Sequence, residues 1–167
     1  MKGLTLKKID LTGANLRETN LEGADLDWVI LAGANLVGSK LEKANLKGAN
    51  LQGANLFMAN LRGANLQGAN LDGAILEKAN LFMADLEGSS FDGAILDGAN
   101  LDGANLTGAF NLSIDQLSKV RTLYNVKLDE ESLIQLKEEF PFLFKSLKQQ
   151  FLEYQSNLLG ANADNNL

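Results

Sequence analysis

The chain has no cysteine and no histidine. The first absence excludes disulfides, thiolate nucleophiles and cysteine metal sites. The second removes the commonest general base and the commonest transition-metal ligand, so most hydrolytic and zinc chemistry lacks its usual side chains. No window approaches the roughly eighteen apolar residues a membrane span needs, and the start, MKGLTLKKIDL, lacks the continuous apolar core of a signal peptide. The expectation is a soluble, cytoplasmic protein. Its 167 residues suffice for one domain, or for one domain with a helical appendage.

What is abundant is leucine at a fixed interval. Asn55 to Ala74 reads NLFMANLRGANLQGANLDGA, and from Leu6 to Leu106 every fifth residue is leucine except Phe91. Two residues before most of them stands a small residue, usually alanine. Asn or Asp usually lies between them, and Gly is frequent two residues after the leucine.

Period five suits neither regular element when it is extended. On an α-helix a step of five residues rotates the side chain by roughly 140°, so the leucines would wind around every side. On a flat strand an odd step sends successive leucines to opposite faces. A chain that keeps every leucine inside must turn once per pentad, which gives a solenoid of short strands with glycine at the corners.

Repeats such as ANLQG, ANLRG and ADLEG resemble the A(D/N)LXX signature of pentapeptide-repeat proteins over residues 4–110, and the composition is similar to cyanobacterial members. The resemblance implies an all-β solenoid: a right-handed, four-sided β-helix with four pentads per coil. Leucine and the preceding alanine would face inward, and a small α-helical C-terminal cap would follow. About five coils at ~4.8 Å each make a rod on the order of 25 Å long. Asn and Asp then have a structural reading, since their side chains bond nearby backbone at turns. Leu4 and Ile9 enlarge the alanine position and are expected to help close the N-terminal end.

The code stops at Phe110, giving expected domains of 1–110 (β-helix), 111–156 (helical cap) and 157–167 (a disordered tail). Ser113 with Gln116 resembles a capping box that opens a short helix. Asp129 is placed to cap a second helix, with Glu130 and Glu131 in its first turn. Pro141 starts a third helix or kinks the second. Leu133, Leu136, Phe140, Leu143, Phe144, Leu147 and Phe151 form a helical stripe that caps the solenoid or joins two copies as a homodimer.

With twenty residues per coil, side chains twenty apart stack in columns. Val37, Phe57, Met58, Ile75 and Ile95 then fall on one face or its corner, with Phe82 on the next face and Met83 at its far corner. These make a candidate apolar interface, or columns that merely stabilise neighbouring strands. Arg62 stacks between Glu42 and Phe82 as an ion-pair and cation–π column.

Acidic charge concentrates late in the repeat. Asp72, Glu77, Glu87, Asp92, Asp97 and Asp102, together with Asp85, face the single base Lys78 in this stretch, while the earlier coils are slightly basic. Quinolone-resistance members of the family engage DNA gyrase as DNA mimics, so the resemblance implies an alternative function as an acidic mimic that binds a type II topoisomerase. The short acidic span weakens that reading. Stacked carboxylates such as Asp72 with Asp92 can support acid–base chemistry or weak cation binding, yet a convex wall offers no pocket to desolvate them. No enzyme activity, cofactor or metal is expected. Direct nucleic-acid binding is disfavoured by a net charge of −6. The expected function is a non-enzymatic structural or protein-interaction scaffold whose partner is another protein.

Overall fold

The computed structural model describes residues 3–164. Each pentad spends three residues on extended chain and two on a turn. Ala44 and Leu46 point inward and are buried, while Asn45 between them points out. The chain then turns, with Ala49 N–H donating to Leu46 O at 3.0 Å and Gly48 at φ +62°. Positive φ at the third residue of a four-residue turn marks type II and favours glycine, which has no Cβ to clash.

Successive coils are joined by parallel bridges between residues twenty apart, from Thr5 with Asp25 to Ser90 with Phe110. Asn45 shows the bonding: its N–H donates to Ala24 O at 2.9 Å, and its O accepts from Leu26 N–H at 2.7 Å. The chain is a β-solenoid whose ladder consists of single bridges in place of long strands. Leucines from Leu21 to Leu106 fill the inside, with Phe91 taking one place and alanines filling between them. Each buried leucine stabilises the fold by ~1.5–3 kcal/mol.

The asparagines do structural work at two ranges. Asn55 Oδ1 accepts from Phe57 N–H at 3.0 Å, and Asn70 Oδ1 from Asp72 N–H at 2.8 Å. Between coils, Asn80 Nδ2 donates to Asn60 Oδ1 at 3.2 Å, and Asn100 Nδ2 to Asn80 Oδ1 at 3.3 Å. Ser90, which replaces asparagine, does not repeat this turn bond, because its hydroxyl is turned to Asp72. Asp72 of the preceding coil replaces it, accepting from Ser90 Oγ and from Asp92 N–H.

The ladder runs past Phe110. Asn100 pairs with Thr122 and Asn105 with Lys127, twenty-two positions apart instead of twenty. The longer spacing makes room for helix α1, Ile114–Ser118, in place of one extended side. Its capping box forms as expected: Ser113 Oγ accepts from Gln116 N–H, and Gln116 Oε1 accepts from Ser113 N–H. Gln116 Nε2 also donates to Phe91 O and Ala94 O, pinning α1 to the coil below. Position 110 thus ends the repeat in sequence, while the bonded coil continues to Lys127.

Helix α2, Glu130–Glu139, starts after Asp129, but the Asp129 side chain does not cap it. The carboxylate reaches back to accept from Gly108 N–H at 3.4 Å instead, because the chain leaves the ladder there and the amide has no next-coil carbonyl. Pro141 opens a short 3-10 helix, Pro141–Phe144. Leu123 N–H donates to Leu143 O at 2.7 Å, and Leu136 and Leu143 are buried in the same core as the solenoid leucines. Helix α3, Leu147–Asp164, runs into the segment for which disorder is expected. Residues 1, 2 and 165–167 lie outside the described residues. At the other end the expectation fails: Leu4 and Ile9 remain 37% and 41% exposed, so they do not close the solenoid. With no coil beneath them, larger side chains at the alanine position have nothing to pack against on one side.

Candidate interaction surface

The ladder brings the expected apolar residues together. Ile75 and Ile95 bridge each other and stand in the column of Asn35 and Asn55. Val37, Phe57, Glu77 and Asp97 follow at the adjoining corner, with Met58 and Lys78 beside them. Val37, Phe57 and Ile75 are half-buried, while Ile95 is 44% and Met58 57% exposed. Lys78 Nζ lies 5.5 Å from the Phe57 ring centroid and 3.1 Å from Glu77 Oε1, so one face of that ring carries a cation.

One corner further on, the Glu42, Arg62, Phe82 column forms as the sequence predicts. Arg62 sits 5.1 Å over the Phe82 ring and 3.8 Å from Glu42. Met83 beside it is 63% exposed. Between the Met58 and Met83 corners lies the face carrying the Asn60, Asn80 and Asn100 ladder. Both methionines occupy the turn position that glycine usually holds, at φ +56° and +55°. A left-handed backbone costs a residue with a Cβ ~1–2 kcal/mol, so these side chains are held outward on strained turns.

The acidic residues are spread around the rod. Asp72 and Asp92 occupy one corner, Glu77 and Asp97 the next, Asp102 the third and Glu87 the fourth. Asp102 belongs to the column of Glu42, Arg62 and Phe82, and burial raises its pKa above the ordinary carboxylate range. Asp85 accepts from Gln67 Nε2 at 2.7 Å and Asn105 Nδ2 at 3.0 Å. No group of three or more acidic, histidine or cysteine side chains among the described residues could hold a metal ion. No described helix is long and apolar enough to cross a membrane.

Of the C-terminal stripe, Leu136 and Leu143 are buried, Phe140 and Phe144 pack against the core, and Leu133 is half-buried. Phe151 is exposed, together with Leu152 and Tyr154 of α3. The side chain of Leu147 lies outside those described.

Two features escape the sequence reading. Trp28 is exposed and lies across the Gly48 backbone, where a Cβ would come within 2.7 Å of its ring. Its signal is a tryptophan in a turn position that glycine holds in later coils. The other is a cavity of about 230 Å³ lined by Leu123, Tyr124, Asn125, Val126, Leu133, Lys137 and Phe144. It forms between the last coil and α2, and no local pattern brings those segments together.

Comparison with known proteins matches the five-residue repeat to a family. The family model for pentapeptide repeats matches in eight copies, over residues 2–31, 9–48, 44–81 and 79–110. Among solved structures the chain is similar to HetL, a pentapeptide repeat protein involved in heterocyst differentiation regulation in the cyanobacterium Nostoc sp. strain PCC 7120. That likeness has 32% identity, covers 77% of this chain and 67% of HetL, and has a TM-score of 0.37. A pentapeptide repeat protein from the Arabidopsis thaliana thylakoid lumen is 26% identical over 82% of this chain and 77% of its own, with a TM-score of 0.37. QnrB1, a plasmid-mediated fluoroquinolone resistance protein, is 21% identical over 82% and 86%, with a TM-score of 0.44. A search of curated proteins finds no match. With the repeat matched from residue 2 to residue 110 and its leucines lining the solenoid, the chain belongs to the pentapeptide repeat family.

Proposed function

We propose that the protein is a non-enzymatic, cytoplasmic scaffold that binds another protein through the wall of Phe57, Met58, Ile75 and Ile95 and the neighbouring Met83 corner. The rod is read as right-handed and four-sided, about five coils over residues 1–110, with a helical cap over 111–156. Four bridges per twenty residues support the four sides, and the buried Leu136 and Leu143 support the cap.

The exposure of Met58, Met83 and Ile95 on a rigid ladder carries the functional reading. A rigid wall loses little conformational freedom on binding, while methionine adapts its shape to a partner. Catalysis finds less support. The described cavity holds no carboxylate, and the acids lie on open corners. Their dispersal over four corners also weighs against a DNA-like surface, which a supercoiling assay with DNA gyrase tests directly.

The test of the wall compares capture of binding proteins by the unaltered chain and by a Phe57→Ser, Ile75→Ser, Ile95→Ser variant. A Gln52→Ser change on another corner serves as control. The wall variant is expected to lose at least about tenfold in captured partner while the control keeps it. Equal capture by both variants sinks the reading.

A further inference from the structure

Along a corner of the ladder, the third residue of each turn donates its N–H to a carbonyl of the next coil. On the Phe82 corner this runs from Gly63 N–H to Phe82 O at 2.9 Å, from Met83 N–H to Asp102 O at 2.9 Å and from Gly103 N–H to Tyr124 O at 2.8 Å. Asn125 is the next residue of that column. It holds the left-handed conformation of the turn at φ +56°, which asparagine tolerates better than most residues, and Val126 N–H closes the turn on Leu123 O at 3.1 Å. No further coil follows, because the chain passes into α2. The Asn125 N–H has no hydrogen-bond acceptor among the described residues.

Other amides at this end are provided for. Leu123 N–H donates to Leu143 O at 2.7 Å, and Gly108 N–H donates to the Asp129 carboxylate at 3.4 Å. A carboxylate oxygen therefore stands in for the missing carbonyl at one corner of the rod. At the Asn125 corner nothing does, and Asn125 lines the cavity of about 230 Å³ between the last coil and α2. Lys137 lines it too, one helical turn beyond Leu133 and so on the same face of α2. The Lys137 ammonium lies 5.8 Å from the Phe144 ring centroid and has no ion pair among the described residues. Glu130 shares that helix face but lies two turns away, roughly 10.5 Å along the axis, and no carboxylate lines the cavity.

We propose that this cavity binds a small organic carboxylate. Its oxygens accept from the Asn125 N–H and the Lys137 ammonium, and its apolar body packs against Leu123, Val126, Leu133 and Phe144. The unpaired cation and the orphaned amide set the sign of the ligand. The apolar walls disfavour an inorganic anion, which would give up water against four side chains that offer no hydrogen bond. Size follows from the volume: the cavity is below the ~300–1,000 Å³ of pockets for drug-sized molecules, so one ring or one branched chain fills it. None of these residues belongs to the Phe57 wall, so the two readings stand or fall separately. Because the last coil supplies Leu123 to Val126 and α2 supplies Leu133 and Lys137, the ligand ties the seal to the rod and stabilises the folded chain by mass action.

Phenylacetate is the probe, titrated into the unaltered ¹⁵N-labelled chain to ~10 mM, the weak end for a ligand of about ten non-hydrogen atoms. Saturable shifts are expected at the Asn125, Val126 and Leu133 amides, with the Asn125 proton moving downfield as it gains an acceptor, together with a higher melting temperature. Phenylacetamide, of the same shape without the charge, is expected to bind at least about fivefold more weakly, since hydrogen bonds to charged groups are the stronger ones. Lys137→Gln is expected to weaken phenylacetate by a similar factor, while Lys127→Gln, which removes a lysine outside the cavity lining, leaves it unchanged. No saturable shift at these amides, equal binding of acid and amide, or equal loss in the two lysine variants overturns the proposal.

Discussion

Asp102 illustrates what a column does to one residue. It stacks after Glu42, Arg62 and Phe82, and Tyr124 continues the line, since Gly103 N–H donates to Tyr124 O as Met83 N–H donates to Asp102 O. Burial raises the Asp102 pKa, so the folded state favours its protonated form. A carboxyl group with a raised folded pKa contributes stability below its unfolded pKa, and that contribution is lost as pH rises through the folded value. Asp102→Asn is therefore expected to raise the melting temperature near pH 7 and to change it little near pH 3, by differential scanning calorimetry against the unaltered chain. A lower melting temperature at pH 7 would show that the carboxylate is stabilising after all. Asp25 runs the other way: its hydrogen bond from Lys7, at 2.9 Å, lowers its pKa and ties the first coil to the second. Subtracting the parent curve from the variant curve cancels such shared contributions.

At the scale of elements, the helices differ in what they contribute. Leu136 of α2 is completely buried in the solenoid core, whereas Phe151 of α3 is mostly open to water. Truncating a buried leucine loses its transfer free energy and leaves a cavity, which costs ~2–5 kcal/mol. Surface truncations stay within about 0.5 kcal/mol. Leu136→Ala should accordingly shift the urea midpoint strongly and Phe151→Ala hardly at all; equal shifts would mean that α2 does not seal the rod. The α2 stripe is legible in the sequence because Leu133, Leu136 and Phe140 recur at helical spacing. Asp129 reads wrongly as a side-chain cap because Gly108, its actual donor, is brought close only when the chain leaves the ladder.

For the whole molecule, each coil bonds only to its neighbours, so stability is close to a sum of coil and interface terms. The middle coils have partners on both sides and the first coil on one. Hydrogen exchange is expected to protect the Leu46 to Leu66 amides most and those of Leu6, Leu11 and Leu16 least. Uniform protection would point to a single cooperative unit. Among the described residues the peptide groups of Thr5, Asp10, Asn15 and Asn20 have no backbone partner, whereas the other end is filled by Leu136 and Leu143.

The sequence by itself determined the inside of this protein. A period of five with small residues two before each leucine admits few backbones, and asparagine and glycine fall where turns need them. The columns were also legible, including Glu42, Arg62 and Phe82, once twenty residues per coil were taken from the family resemblance. Only the tertiary structure decided which of the outward residues stay open. Phe57 carries Lys78 over its ring while Met58 and Met83 stand free, and Leu4 and Ile9 fail to close their end. Period is a local property written into every pentad, whereas exposure depends on what happens to lie one coil away.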